Sequence, residues 1–566
     1  MAENELLTQA YALQQQGDFT QAITLCEAVI AQNEHCSPAY HLLALIHAQL
    51  GNLSEAINYF QQAIRLTPED PALYNNLANA YKNNNQPELA IEQYLKALAL
   101  EPTYAQAHNN LAALYARQGL YQQALHHYRE AVHAAPDFTA AHHNLGLLLL
   151  KNNQLEPAKI QFKNVLELQP GQIDALFYLG LLELADNQPE QAEQAFQQII
   201  TQDNNHVEAL INLGVIALKK EQNQLAIDYF SKALAINNDS IEARNNLAAT
   251  FIHHDRFENA LMHYDVLLQN DPDNIEYLYN SGVAQMALGH LNEAISLFEH
   301  LLTVDPGHFS ALNNLAAVYL RLQDRVKAKK LLEQAVAVNP ADQSSRHMLN
   351  AISHNTEGVE TSPEYAANLF NNYALHYDQH MRDQLQYKLP NHLVKVLDEL
   401  NPGQSGLTLD LGCGTGLTGQ VLRDISNQLI GVDIAKKMLD QARSKQIYDE
   451  LIEADIFDFF NQYHQTYDLI IAADVLPYIG NLEQLFAEIK QHLNNGKYFI
   501  FSTEISDNYP WKLQESARFS HHPDYLNNLC KQNNLAIEFD EQVIARQQDG
   551  HALAVRLLAV KKIKDN

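Results

Sequence analysis

Residues 71–104 read PALYNNLANAYKNNNQPELAIEQYLKALALEPTY, two amphipathic runs joined by a polar turn. Small residues stand eighth (Ala78) and twentieth (Ala90), and Pro102 stands thirty-second. Stepping by 34 residues repeats this pattern without insertion from residue 3 to residue 342. The twentieth residue is alanine in every unit: Ala22, Ala56, Ala90, Ala124, Ala158, Ala192, Ala226, Ala260, Ala294 and Ala328. The eighth is always Ala or Gly, and proline recurs thirty-second at Pro68, Pro102, Pro136, Pro170, Pro272, Pro306 and Pro340. A fixed period of this length marks a repeat architecture. Small residues let two antiparallel helices approach closely, while Leu, Ile, Tyr and Phe fill the groove between them. The late proline ends the second helix of each unit. One hairpin cannot bury its apolar face, so ten of them stack into an all-α superhelical solenoid with a concave surface.

This array resembles the tetratricopeptide repeat (TPR) family over residues 3–342, and 343–353 reads as a capping helix opening a connector that runs to residue 362. In that family the first helix of each unit lines the concave face. The sixth residue lies on that helix and is asparagine in seven of ten units: Asn76, Asn110, Asn144, Asn212, Asn246, Asn280 and Asn314. Asparagine prefers caps and turns, so a mid-helix row of it asks for a cause. Its amide offers one acceptor and two donors, which can hold an extended peptide backbone. A similar asparagine ladder belongs to the repeats of O-GlcNAc transferase, where it holds substrate polypeptide. The thirteenth residues add Arg117, Lys151, Lys219, His253 and Arg321, a partly basic stripe suited to an acidic segment. We expect a protein or peptide partner in this groove. A passive spacer or self-association surface, left by duplication of one unit, stands as the alternative.

At 566 residues the chain is too long for one core. Its 46% apolar and 18% charged residues are globular rather than disordered in composition. The 37 basic and 67 acidic side chains leave a net charge of −30. From residue 361 onward 18 basic residues face 27 acidic ones, so most of that charge belongs to the repeats. Such a field repels a phosphate backbone or an anionic membrane, and neither is expected as a partner. Cys26, Cys36, Cys413 and Cys530 form no CxxC and no Cys/His cluster of zinc spacing, so no disulfide framework and no metal site are expected. The start carries no secretion signal, and an apolar run such as Leu145–Leu150 is too short to span a bilayer. A soluble cytoplasmic protein is expected, of unknown oligomeric state.

Past the polar connector 354–363 the pattern changes, and residues 363–566 alternate strand and helix signals. Strands are expected at 407–411, 428–434, 467–472, 498–502 and 552–560, forming a parallel, doubly wound, Rossmann-like α/β sheet. The chemical motif is Leu409-Asp410-Leu411-Gly412-Cys413-Gly414-Thr415-Gly416. Gly412, Gly414 and Gly416 on a strand-to-helix turn let backbone approach a nucleotide-like ligand. Asp433, 21 residues past Gly412, ends the second strand where a carboxylate accepts ribose hydroxyls. Asp410, at the mouth of the turn, would repel a pyrophosphate and suit S-adenosylmethionine, a cation without phosphate. A plain strand-end cap is the alternative for Asp410.

These residues together resemble the class I S-adenosylmethionine-dependent methyltransferases. The resemblance implies S-adenosylmethionine as cofactor, with Ile434 beside Asp433 in its site. It places Asp455, in Glu453-Ala454-Asp455-Ile456, against the adenine amino group, and Asp474, in Ile471-Ala472-Ala473-Asp474-Val475-Leu476, facing cofactor and substrate. More narrowly, the domain is similar to predicted methyltransferases that bacteria fuse to TPR arrays. That likeness rests on Leu369-Phe370-Asn371-Asn372-Tyr373-Ala374, Tyr377-Asp378, Leu385-x-Tyr387-x-x-Pro390, Arg518-Phe519-Ser520-His521 and Tyr525-Leu526. Tyr373 and Tyr377 are expected to cover the cofactor as a lid, with aromatic packing as the alternative.

Methyl transfer is an in-line displacement, to which alignment can contribute on the order of 7–11 kcal/mol. For a base or orienting group the candidates are Asp474, His521, Tyr478, Arg518 and His376. Asp474 leads by topology and His521 by the ordinary pKa of imidazole. The segment Asp474-Val475-Leu476-Pro477-Tyr478 departs from the Asn/Asp-Pro-Pro-Tyr/Phe signature of enzymes acting on planar nitrogens. The expected activity is methylation of a protein docked in the groove. Alternatives are a small-molecule acceptor with the repeats used for assembly, and an interaction scaffold with an inactive methyltransferase domain, against which Asp410, Asp433 and Asp455 stand.

Overall fold

A computed structural model describes residues 2–353, 359, 363–374, 377–548 and 551–564. The expected connector 354–362, apart from Val359, and the candidate His376 lie outside the described residues. Twenty helices carry the repeats, from Ala2–Gln16 to Arg325–Val338, and Gln343–Ile352 follows them. All ten alanines at the twentieth position are fully buried. Glycine at the eighth position answers a phenylalanine ring lying across it. A Cβ on Gly214 would come 2.4 Å from the Phe230 ring, and one on Gly282 2.6 Å from Phe298. Between the two helices of each unit, the fifteenth residue is left-handed: Gly17, Gly51, Asn85, Gly119, Asn153, Asn187, Glu221, Asp255, Gly289 and Gln323. Gly and Asn tolerate that conformation best, because other residues crowd Cβ against the backbone.

Internal contacts divide the chain into two compact units, Met1–His263 and Tyr264–Asn566. The first consists of repeat helices alone. The second holds the remaining repeat helices, the Gln343–Ile352 helix and an α/β domain. That domain is built on a nine-stranded sheet: β1 Ser405–Leu411, β2 Ser426–Asp433, β3 Glu450–Glu453, β4 Tyr467–Ala472, β5 Leu493–Ile505, β6 Trp511–Leu513, β7 Phe519–His521, β8 Leu535–Gln548 and β9 His551–Lys562. The parallel part runs β3-β2-β1-β4-β5. Its two faces pack against separate apolar clusters, one around Phe459, Phe486 and Phe499, the other around Leu393, Leu429 and Ile471.

The wholly parallel sheet expected from the alternation of strands and helices is not what forms: the sheet is mixed. β9 runs antiparallel to β5, and β8 antiparallel to β9. Only residues 549–550 separate β8 from β9, and so short a link permits antiparallel pairing alone. β5 also outruns β4, whose pairing ends at Ala472 with Phe501. Beyond that point Glu504 pairs with Ser520 of β7 on one side and Val555 of β9 on the other. β7 thus takes the flank that β4 vacates. Strand order reverses between β1 and β4, where doubly wound sheets open a crevice at their carboxyl ends.

Candidate active site

The crevice begins at the turn after β1. Gly412 (φ +64°) passes so close to Val475 that a Cβ would lie 2.3 Å from its Cγ2. Gly414 (φ +54°) has nothing within 4 Å of where a Cβ would stand. The Asp433 carboxylate ties this turn to the end of β2. Oδ2 accepts from Gly414 N–H at 2.8 Å and Oδ1 from Ala435 N–H at 2.8 Å. Burial pushes Asp433 up to about 6, against the pull of those N–H donors. Asp455 caps the Ile456–Gln462 helix by accepting from Phe457 N–H at 2.8 Å. Gly412, Gly414, Asp433, Ile434, Asp455 and Ile456 all border one cavity of about 280 Å³.

Asp474 borders the same cavity two residues past β4, with left-handed backbone (φ +60°). Its N–H donates to Ser502 Oγ at 2.9 Å, while both carboxylate oxygens accept from guanidinium groups. Arg518 Nη2 reaches Oδ1 at 2.5 Å and Arg546 Nη1 reaches Oδ2 at 2.7 Å. Burial alone would raise this carboxyl, but the two arginines outweigh it and hold Asp474 below the ordinary range. Arg518 also donates to Glu504 Oε1 at 2.6 Å and to the Tyr478 hydroxyl at 2.9 Å. The result is a charge-balanced buried network that fixes one wall. A carboxylate held ionised with both oxygens engaged orients its neighbours and is poorly suited to take a proton, so the general-base expectation for Asp474 is revised.

A further part of the wall comes from the segment before the sheet. Leu369, Phe370, Tyr373 and Tyr377 border the cavity, with the Tyr373 and Tyr377 rings edge-on at 5.2 Å. Phe370 meets Tyr478 edge-on at 5.0 Å. Burial raises the Tyr373 hydroxyl to about 12 and the Tyr377 hydroxyl further. Two polar clasps hold this segment against the domain. Asn371 Oδ1 accepts from Lys437 N–H at 3.0 Å, and Asp378 accepts from Thr415 Oγ1 and Lys445 Nζ, each at 2.5 Å.

Three candidates lie elsewhere. Asp410 is 1% exposed and does not border the cavity; its Oδ2 accepts from the Tyr448 hydroxyl at 2.7 Å, and burial pushes it up to about 7. Gly416 likewise faces Tyr448, whose ring a Cβ would approach to 3.1 Å. His521 lies buried in β7, with Nδ1 2.6 Å from Thr503 Oγ1 and Nε2 2.9 Å from the Ile479 carbonyl. A carbonyl only accepts, so Nε2 carries the proton and Nδ1 accepts from Thr503. Burial lowers this imidazole to about 4, and it ties β7 to its neighbours without reaching the cavity. Sequence reasoning passed over Arg546, Glu504 and Tyr448, which come from distant segments without a local motif.

The asparagine row is half-buried and partly engaged between repeats. Asn110 Nδ2 donates to Asn75 Oδ1 at 3.1 Å, and Asn144 Nδ2 to Asn109 Oδ1 at 3.0 Å. Asn76 meets His41 at 3.0 Å, and Asn314 donates to the Tyr279 hydroxyl at 3.3 Å. Asn280 reaches the Tyr264 hydroxyl and Asn212 its own helix, at Glu208 O. Asn246 accepts at its backbone carbonyl from Thr250. A donor that bridges successive units explains asparagine at five of these seven positions, Asn212 and Asn246 being the exceptions.

Residues 409–501 match a methyltransferase domain family. Tetratricopeptide-repeat families match residues 7–71, 143–205, 180–241 and 285–352, with further matches between 59 and 138. The chain is a tetratricopeptide-repeat protein carrying a methyltransferase domain. The chain is 25% identical over 166 residues to malonyl-[acyl-carrier protein] O-methyltransferase of Enterobacter lignolyticus (strain SCF1), covering 29% of its own length and 63% of that one. It is 29% identical over 143 residues to the enzyme of that name from Bacillus anthracis, covering 24% and 50%. A probable 18S rRNA (guanine-N(7))-methyltransferase of Dictyostelium discoideum is 27% identical over 119 residues, covering 21% and 42%. The chain therefore spans less than two thirds of each of these relatives. Among solved structures, YrrB, a TPR protein with an unusual peptide-binding site, shares 28% identity at a TM-score of 0.31, covering 32% of this chain and 95% of its own. Pseudomonas aeruginosa PilF shares 24% at 0.34, covering 39% and 99%. Among the described residues no helix is long and apolar enough to cross a membrane.

Proposed function

We propose that the domain transfers a methyl group from S-adenosylmethionine, and that the repeats dock a protein or peptide that bears the acceptor. The observation that carries the first part is the convergence of Gly412, Gly414, Asp433 and Asp455 on one cavity. The open backbone at Gly414 and the further lone pairs of Asp433 fit a nucleoside with two ribose hydroxyls. Asp433 would hold the ribose, and Asp455 with Ile456 the adenine. S-adenosylmethionine supplies, when bound, an electrophilic methyl group that needs no protein nucleophile. The rest falls to position: Asp474, ion-paired with Arg518 and Arg546, keeps the wall in a fixed geometry, and Tyr373 and Tyr377 exclude water. The four free cysteines support a reducing, cytoplasmic setting.

Isothermal titration with S-adenosylmethionine tests the cofactor. Asp433→Ala removes a charged acceptor, and affinity should fall about 10–100-fold; equal affinities would remove the basis for this site. Relatives named for malonyl-[acyl-carrier protein], an acceptor borne on a protein, support the second part. Its test uses the full chain with Arg117→Glu, Lys151→Glu and Lys219→Glu and labelled cofactor in a cell lysate. Protein labelling should drop while cofactor affinity holds, and unchanged labelling would exclude groove docking. A small-molecule acceptor, with the repeats used for assembly, is the second reading; the inter-repeat bonds of Asn110 and Asn144 favour it.

A further inference from the structure

Within the second compact unit the end of the repeat array is built against the turn that delivers Arg518. Gln514 N–H donates to the Arg518 carbonyl at 2.7 Å, and Ala517 N–H to the Gln514 carbonyl at 2.9 Å. Ala517 between them is left-handed (φ +59°), an unfavourable conformation for alanine that its surroundings must hold. His347, in the Gln343–Ile352 helix and 4% exposed, places Nε2 3.0 Å from the Ala517 carbonyl, so that nitrogen donates. Its ring lies 4.7 Å from Tyr365 of the Pro363–Tyr373 helix and 5.7 Å, edge-on, from Phe519. Ala351 of the same helix packs with Leu513, Ala517 and Phe519, and Glu515 of the turn pairs with Arg325 of the last repeat.

We infer that His347 is a positioning residue. It fixes the 514–518 turn so that Arg518 meets Asp474, Glu504 and Tyr478, which makes the repeat cap a support for the cavity wall. The inference rests on reading that cavity as the methyl-donor site. Trp511, the sole tryptophan, stands edge-on to Phe519 at 5.4 Å and reports on the turn without any ligand. In the full chain, His347→Phe keeps the ring contacts and loses the donor, whereas His347→Gln restores one. Acrylamide quenching of Trp511 should rise about twofold in His347→Phe and return toward wild type in His347→Gln. Affinity for S-adenosylmethionine should fall roughly 3–10-fold in His347→Phe, and less than twofold when Arg518→Met is already present. Arg325→Ala, an exposed change at the same turn, should raise quenching in the same direction. Unchanged quenching in both variants, or losses that multiply with Arg518→Met, would overturn the proposal. A wild-type chain that fails to bind S-adenosylmethionine would refute the donor-site reading instead, while the quenching still judges His347.

Discussion

Asp410 and Asp433 end neighbouring strands, yet their surroundings divide their work. Asp433 borders the cavity and holds the glycine turn, whereas Asp410 turns inward to Tyr448. Burial raises Asp410 from its ordinary value near 4 to about 7. The folded protein therefore binds the proton more tightly than the unfolded chain does. That stabilising contribution is complete below about pH 4 and is lost as pH rises to about 7. Asp410→Asn should flatten this decline, read as the urea midpoint of Trp511 fluorescence between pH 4 and 8; an unchanged slope would refute the assignment. Tyr448→Phe strands a buried acceptor and should cost about 1–3 kcal/mol on the same measurement. The place of Asp433 at the cavity was legible because a short motif encodes it. Arg546 was not: it lies 72 residues from its partner Asp474, on a strand whose mixed polar pattern carries no motif.

Helix pairs show the same contrast between what spacing reveals and what it hides. The period of 34 and its small residues announced the array, but the left-handed fifteenth column went unread because it mixes Gly, Asn, Asp, Glu and Gln. Their shared property is backbone conformation rather than polarity or size. β6, β7 and β8 escaped for a related reason, the first two having three residues each. At Gly214 two effects oppose each other when alanine replaces glycine. Helix propensity gains about 1 kcal/mol, while a methyl group 2.4 Å from the Phe230 ring costs about 1–3 kcal/mol in overpacking. Gly214→Ala should be neutral to destabilising, and pairing it with Phe230→Leu should recover the helical gain. Far-UV circular dichroism in urea decides this, and a marked stabilisation by the single change would contradict the packing account.

For the chain as a whole, two compact units and a repeat architecture argue against a single cooperative transition. Trp511 fluorescence follows the α/β domain, whereas helical dichroism is dominated by the repeats. The two urea curves should not superimpose, and coincident curves would show one cooperative unit. The surplus of acidic residues predicts that moderate salt stabilises the array by screening repulsion.

The clasp between the Gln343–Ile352 helix and the 514–518 turn bears on how such a protein can be recombined. A chimera joined at residue 363 would carry the methyltransferase sequence yet leave the Ala517 carbonyl without its imidazole donor and Glu515 without its guanidinium. The smallest portable cassette therefore begins near Asp324, inside the last repeat, and any foreign scaffold must accept that borrowed hairpin as its own terminus.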